Sequence, residues 1–489
     1  MAGGGLVDVA ATPWWHDAVV YQIYPRSFQD TDGDGVGDVP GITRRLDYLS
    51  ELGIDALWLS PIYPSPLADL GYDVSEYEDV DSRLGTLEDF DALVEAAHAR
   101  GIKVLMDLVP CHTSIEHPWF REHPDWYIWA DGGPPNNWVA AFGGPAWSPD
   151  ERTGRWYLHS FYPEQPDLDW RNPEVVRAMQ HVVRFWLDRG ADGFRLDAID
   201  RLLKDAEFRD DPPAREPFPF PLAPDFARLE HRYSGNRPDV VEAVGALREA
   251  AGDALLVGEV FLPTVDVRPY LEHLDVAFAF DLFFSPWDAG RLRAAISPAA
   301  SEDRFAWVLS NHDFPRLATR FGPENARAAA LLLLTLPGPA FVYQGEELGL
   351  IDGPGAEPAY DRAGRDGGRH PMQWDGGPNG GFTAGTPWLP AVDPAERNVA
   401  DQERDPDSLL NLYRRLIRLR PGLGSGFELL EAAPGVVAYV RGDHVVAVNT
   451  TAEPRPVPPA GELVLATHPG AGDADGVVPP RAGTIRRPA

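Results

Sequence analysis

Four short stretches carry polar, chemically capable side chains at the ends of apolar runs. They are Asp107 with His112 in DLVPCHTS, Arg195 with Asp197 in GFRLDAID, Glu259 in VGEV, and His312 with Asp313 in VLSNHD. An apolar strand has no structural need of such groups. In Gly193-Phe194-Arg195-Leu196-Asp197-Ala198, strand alternation puts Arg195 and Asp197 on one face and Phe194, Leu196 and Ala198 on the other. If the strand belongs to a barrel, the polar face is the lumen. A guanidinium two residues from a buried carboxylate would hold it ionised, which a nucleophilic carboxylate requires and a general acid does not. A structural ion pair gives the same local pattern. Glu259, between Gly258 and Val260 at a strand end, stands where partial desolvation would keep a proton on it.

A different chemistry is written into the loop after the first apolar run. Asp30, Asp32, Asp34 and Asp38 alternate with other residues, and Gly33, Gly35 and Gly37 let the chain turn tightly. Oxygen donors at that spacing, with the carbonyl of Val36 among them, suit Ca2+ or Mg2+. An EF-hand would need Glu where Gly41 stands, so the loop is expected to be another kind of structural cation site, or else a solvated acidic turn.

The elements that must position these groups repeat. Eight apolar runs can be counted: Val19–Tyr24, Ala56–Ser60, Lys103–Val109, Gly193–Ala198, Leu255–Val260, Val276–Phe284, Phe305–Ser310 and Ala340–Gln344. Amphipathic stretches such as Leu87–Arg100, Glu174–Arg189, Val240–Ala251 and Glu324–Leu336 separate several of them, which predicts an α/β fold with a (β/α)8 barrel and functional residues at the C-terminal strand ends. The Trp-, Pro- and Gly-rich connection after the third run is too long for a simple crossover and predicts an inserted subdomain. Loops 203–238 and 353–393, after the fourth and eighth runs, are expected on the same face. Beyond PGLGSG, alternating segments predict a C-terminal antiparallel β domain. The expected organisation is residues 14–110 and 173–420 for the barrel, 111–172 for the insert and 421–489 for the β domain.

Composition narrows the partners. The formal net charge is −32 over 489 residues, which repels nucleic acid and anionic lipid and favours a neutral substrate. Eleven of the fifteen tryptophans fall between Trp14 and Trp186, and aromatic faces in clefts suit sugar rings. The single cysteine, Cys111, excludes an intrachain disulfide. The most apolar stretch, Ala328–Leu336, is about half a membrane span. The first fifteen residues lack a signal-peptide pattern, so the expectation is a cytoplasmic protein, monomeric or homodimeric, acting on a small sugar.

In their order along the chain, DLVPCHTS, GFRLDAID, VGEV and VLSNHD resemble the four motifs of the α-amylase family, glycoside hydrolase family 13. With QPDLDW at Gln165–Trp170 and RHPMQW at Arg369–Trp374, the sequence resembles its α-glucosidase and oligo-1,6-glucosidase branch. The resemblance implies Asp197 as nucleophile, Glu259 as general acid/base and Asp313 as transition-state stabiliser. It implies that His112 and His312 donate to sugar hydroxyls, that Tyr72 forms a platform below the ring, and that Phe161 and Arg195 also belong to the substrate site. Asp69 and Arg369 match positions that close the pocket around a terminal 4-hydroxyl, implying exo action. Ala198, where Val accompanies α-1,6 preference, implies α-1,4 cleavage. Cys111 stands where many members carry an Asn calcium ligand, which leaves the Asp30–Asp38 loop as the better metal position. Asp169 replaces the usual Asn of QPDLDW. Other readings are a trehalose synthase-like isomerase or transglucosidase, a sucrose hydrolase, and a catalytically silent transporter-associated subunit.

Overall fold

A computed structural model describes residues 12–215, 223–300, 302–457, 461–471 and 476–487. The first eleven residues and the Pro-rich centre of the 203–238 loop therefore lie outside the described residues. Eight parallel strands close into a barrel: β1 (Val19–Ile23), β2 (Ala56–Leu59), β3 (Lys103–Leu108), β4 (Gly193–Leu196), β5 (Leu255–Gly258), β6 (Val276–Phe278), β7 (Phe305–Val308) and β8 (Ala340–Tyr343). Each pairs with its sequence neighbours, and β8 closes on β1. Every expected strand is present. The sixth is shorter than its apolar run, because Phe280–Phe284 turns into a helix.

Period-2 alternation divides the core. Val20, Leu105, Leu255 and Val257 fill the barrel with Trp58, Phe278 and Phe341. Their neighbours Tyr21, Met106, Phe194 and Leu256 face the helices outside. The same alternation turns Asp107 and Arg195 inward, and β3–β4 register sets them directly opposite each other. Helix starts agree with their sequence signals. Thr86 and Asp89 form a capping box for Leu87–His98, and Asn172 caps Pro173–Asp188 with Pro at its first position.

After β3 the chain forms a three-stranded antiparallel sheet from Trp129–Ala130, Trp147–Asp150 and Arg155–Leu158 before rejoining the barrel. After β8 and helix Leu409–Leu419, five antiparallel strands build the C-terminal sheet: β9 (Phe427–Leu429), β10 (Val436–Arg441), β11 (His444–Asn449), β12 (Glu462–Ala466) and β13 (Gly483–Arg487), in the order β9-β10-β11-β13-β12. The apolar run Ala328–Leu336 belongs to a buried helix, Ala326–Thr335. Arg441 on β10 binds its C-terminal carbonyls, and Arg420 reaches Leu334 O at 2.7 Å, satisfying acceptors that a helix end leaves unpaired. Among the described residues no helix is long and apolar enough to cross a membrane.

One close approach fixes the strand that carries Arg195. A Cβ on Gly193 would lie 2.2 Å from the carbonyl oxygen of Leu255 on β5. Gly193→Ala must therefore push β4 and β5 apart. The expected cost is about 1–3 kcal/mol or more of stability, read as a lowered Tm in thermal denaturation, with a loss of activity larger than the fraction unfolded explains.

Candidate active site

The loops leaving the C-terminal ends of the strands surround a pocket lined by Asp69, Tyr72, His112, Phe161, Asp197, Ala198, Glu259 and Asp313, together with Arg365, Phe142, Phe261 and Phe314. Beneath it the Arg195 guanidinium is shared among three carboxylates. Its Nη1 donates to Asp107 Oδ1 and to Asp197 Oδ1, both at 2.7 Å, while Nη2 pairs with Glu259. Trp58 Nε1 and the Tyr72 hydroxyl complete the shell of Asp107 at 3.1 and 3.0 Å. Arg195 is 1% exposed and lies 5.1 Å from the Trp58 ring.

The β4 alternation stops at Leu196. Ala198 takes a left-handed conformation (φ 45°, ψ 43°) that turns it from the outer face expected of it into the pocket wall. This strain, of order 1 kcal/mol for a non-glycine residue, aims the Ala198 N–H at Glu259 Oε2, 3.2 Å away. Tyr72 stacks on His312 with centroids 5.2 Å apart and planes at 9°. His312 thus lies behind the platform, its Nδ1 2.8 Å from Gln22 Nε2 and its Nε2 3.4 Å from Asp313. His112 Nε2 contacts the Tyr72 carbonyl at 3.1 Å and Gln165 at 3.0 Å, and the Phe161 ring packs edge-on against it. Burial pushes the His112 pKa down to about 4 and that of His312 to about 3, so both are neutral at pH 7.

The arginine facing Asp69 is Arg365, and the expectation of an Asp69–Arg369 pair is corrected accordingly. Arg365 Nη2 pairs with Asp69, while its Nη1 donates to Asp313 Oδ1 at 2.8 Å. Arg369, four residues on, lies deeper. Its Nε donates to the His312 carbonyl at 2.8 Å and its Nη2 to Asp313 Oδ1 at 3.3 Å, with the guanidinium over the Tyr24 ring. Arg365, Phe142, Phe261 and Phe314 were not among the expected site residues. The only signal for Arg365 is a second arginine one turn before RHPMQW.

The acidic loop after β1 closes tightly. Asp30, Asp32 and Asp38 each present an oxygen within 4.8 Å of the others. The Asp30 carboxylate also accepts the N–H groups of Gly33 at 2.7 Å and Gly35 at 2.8 Å, and the Thr383 hydroxyl. Burial raises its pKa, but these donors outweigh burial and hold it below the ordinary value. Asp34 accepts from the Val36 N–H at 2.7 Å and stands outside that group, whereas Asp38 caps helix Val39–Arg44 through Gly41 N. The three-carboxylate donor set is one a hard divalent cation accepts. Between barrel and insert, Lys204 Nζ lies 2.7 Å from Asp167 Oδ2 and 3.8 Å from Cys111 Sγ, so a fixed ammonium supplies positive charge there.

The family described as "Alpha amylase, catalytic domain" matches residues 22–423 of this chain. The chain belongs to the α-amylase family. A probable α-glucosidase of Rhizobium meliloti (strain 1021) is 41% identical over 478 residues, which cover 88% of this chain and 87% of the relative. The oligo-1,6-glucosidase of Parageobacillus thermoglucosidasius is 38% identical over 524 residues, covering 91% of each. The solved structure of an α-glucosyl transfer enzyme, XgtA, superposes with a TM-score of 0.91 at 38% identity, over 97% of this chain and all of that one. These likenesses set the chain within the α-glucosidase branch of glycoside hydrolase family 13.

In this α-amylase family member the charges at the site divide. Burial pushes Glu259 up to about 8; Arg195 opposes the rise, and Asp197 and Asp313 add to it. Burial also pushes Asp197 up to about 7 against the pull of Arg195, because that one cation also serves Asp107 and Glu259. Arg195 therefore does not by itself hold Asp197 ionised, as its spacing in the sequence led us to expect. For Asp313 burial is outweighed by His312, Arg365, Arg369 and Arg195, so its pKa falls well below the carboxylate range. Since His312 is neutral at pH 7, the arginines keep Asp313 ionised.

The Glu259 shift has a consequence for stability. Its folded-state pKa of about 8 exceeds the ordinary 4.5, so the folded chain holds this proton more tightly than the unfolded chain does. The stabilisation is complete below the unfolded value and is lost as pH rises through the folded one. Glu259→Gln removes the titration. Its Tm advantage over wild type should grow between about pH 5 and about pH 9 in thermal melts, whereas a constant difference would mean that Glu259 titrates normally.

Proposed function

We propose that this chain is a retaining, exo-acting α-glucosidase that releases glucose from the non-reducing end of short α-glucosides. The observation that carries the reading is a pair of carboxyl groups, Asp197 and Glu259, on the two arms of one guanidinium at the base of a pocket whose wall includes the Asp69–Arg365 pair. A shared fork fits the short separation of a retaining pair, about 5–5.5 Å, better than the wider inverting one. The names of the two relatives, α-glucosidase and oligo-1,6-glucosidase, agree with this substrate class.

The residues divide the reaction between them. Asp197, ionised, attacks the anomeric carbon while Glu259 gives its proton to the departing glycosidic oxygen, leaving a β-glucosyl ester on Asp197. Glu259, now anionic, takes a proton from water, whose oxygen displaces Asp197 and restores the α configuration. Asp313 supplies negative charge near the oxocarbenium-like transition state, and Tyr72 carries the ring. Asp69 and Arg365 offer an acceptor and a donor to a free 4-hydroxyl, and a chain continuing through O4 would leave both unpaired. Ala198 leaves more room for the leaving sugar than a β-branched residue would, which favours α-1,4 over α-1,6 linkages. Transfer to a second sugar is a companion reading, favoured by four phenylalanines that limit water around the ester. In the Asp30–Asp38 loop, Asp30, Asp32 and Asp38 with the Val36 carbonyl would hold Ca2+ or Mg2+. The cation would tie the loop to the 382–388 segment through Asp30 and Thr383. We place the enzyme in the cytoplasm.

Asp197→Asn should retain its fold and lose nearly all turnover, and NMR of the wild-type reaction should show α-glucose as the first product. Initial β-glucose would exclude the double displacement. Asp69→Ala should lower kcat/KM for maltose by about 10- to 100-fold, the loss of a charged hydrogen bond. Maltoheptaose blocked at its non-reducing end should resist the wild type, and rapid internal cleavage would mean an open cleft. For the metal loop, a chelator should lower Tm without directly altering the carboxylate pair. An unchanged Tm together with no bound cation by elemental analysis would leave the loop a purely hydrogen-bonded turn.

A further inference from the structure

Arg365 does not hold its position at the pocket by contacts with Asp69 and Asp313 alone. Its Nε donates to Asp361 Oδ2 at 2.8 Å and its Nη2 to Asp361 Oδ1 at 2.9 Å, a side-on bidentate pair. The same carboxylate accepts the backbone N–H of Arg365 at 2.7 Å and that of Ala363 at 3.3 Å. The Asp361 side chain is fully buried. The pair spans four residues of one loop, so it staples no distant segments together. What it fixes is the direction of one guanidinium.

We propose that Asp361 is a positioning residue for recognition of the terminal sugar, holding the Arg365 fork so that it addresses Asp69, Asp313 and the substrate's 4-hydroxyl together. A guanidinium has five N–H groups. Asp361 takes that of Nε and one of Nη2, Asp69 takes the other of Nη2, and Asp313 takes one of Nη1. One Nη1 hydrogen remains, on an arginine that lines the pocket. Without Asp361 the Nε edge would lose its acceptor, and the plane could rotate to meet Asp69 or Asp313 edge-on. The pocket would keep its charge and lose its donor direction. Burial raises the Asp361 pKa, but Arg365, followed by Arg369, outweighs it and draws it down to about 2, so the clamp is anionic throughout the working range.

The inference rests on the exo-pocket reading above, and its test separates the two. Kinetics would compare p-nitrophenyl α-D-glucoside with its 4-deoxy analogue for the wild type, Asp361→Asn and Asp361→Glu, with Tm measured for each. The wild type is expected to prefer the 4-hydroxy substrate in kcat/KM by about tenfold or more, the value of a charged hydrogen bond. Asp361→Asn should lose most of that preference, with the 4-hydroxy substrate falling about tenfold and the 4-deoxy substrate changing little. Asp361→Glu, which keeps the charge and both oxygens, should recover part of it. Equal losses on both substrates in either variant, or undiminished discrimination, would overturn the role of Asp361. If Asp361→Asn does not fold, Asp361→Glu carries the comparison by the same criterion. A wild type indifferent to the 4-hydroxyl would overturn the exo pocket, and with it this proposal.

Discussion

One buried guanidinium serving three carboxylates is the constraint around which the barrel mouth is built. Burying Asp107, Asp197 and Glu259 without a cation would cost more than the fold could bear, since an isolated ionised carboxylate in a low-dielectric interior is penalised by several kcal/mol even after relaxation. Arg195 offsets part of that cost, and its geometry distributes the rest. Asp107 lies opposite it in register on β3, Asp197 follows two residues along its own chain, and Glu259 leaves the end of β5, the next strand over. One positive charge cannot neutralise three negative ones, so a proton stays in the cluster. Glu259 keeps it because burial, with the charges of Asp197 and Asp313, raises its pKa, whereas Asp313, buried as well, faces Arg365 and Arg369, two guanidinium groups outside the Arg195 cluster. The asymmetry between a protonated Glu259 and an ionised Asp313 thus comes from how few cations are buried and where they point.

A second guanidinium, Arg365, repeats this logic at the pocket wall. It too joins three carboxylates, Asp69, Asp361 and Asp313, from separate parts of the chain. Asp313 links the two networks, since Arg195 and Arg365 both lower its pKa. Between them lie apolar and aromatic surfaces: the Tyr72 ring stacked on His312, and the phenylalanines of the insert and the β5 and β7 loops. Such a pocket presents fixed charges at its ends and low-dielectric walls between them, so its charged hydrogen bonds are strengthened.

The barrel was legible in the sequence because its signals are local. Eight apolar runs with intervening amphipathic helices prescribe the strands, and alternation within GFRLDAID prescribes which side chains enter the lumen. Asp197, Glu259 and Asp313 were legible because polar groups at apolar strand ends stand out and their motifs keep a fixed order. Three features were not legible, each for a physical reason. Ala198 leaves the strand alternation through one left-handed residue, and alanine carries no signal for φ 45°. Arg365 and Arg369 stand four apart in a loop of glycines. Which of them meets Asp69 depends on a short 3-10 turn, Arg365–Arg369, that sends one forward and the other beneath. The sharing of Arg195 among three acids is a property of strand register, so spacing along one strand reveals only the Asp197 partnership.

Side-chain cations also explain why a chain of net charge −32 can gather so many acids at one mouth. Arg195, Arg365 and Arg369 face the pocket carboxylates, and Lys204 faces Asp167 beside Cys111. A metal ion could balance the same acids, but it would bring open coordination positions and depend on supply. A guanidinium brings five directed donors and stays protonated at any working pH. At a site where Glu259 holds a proton while Asp313 stays ionised, fixed direction matters more than charge alone. The acidic loop after β1, where a cation would have only to hold two segments together, has no buried arginine among the donors to Asp30 within the described residues and presents its carboxylate oxygens to one another instead.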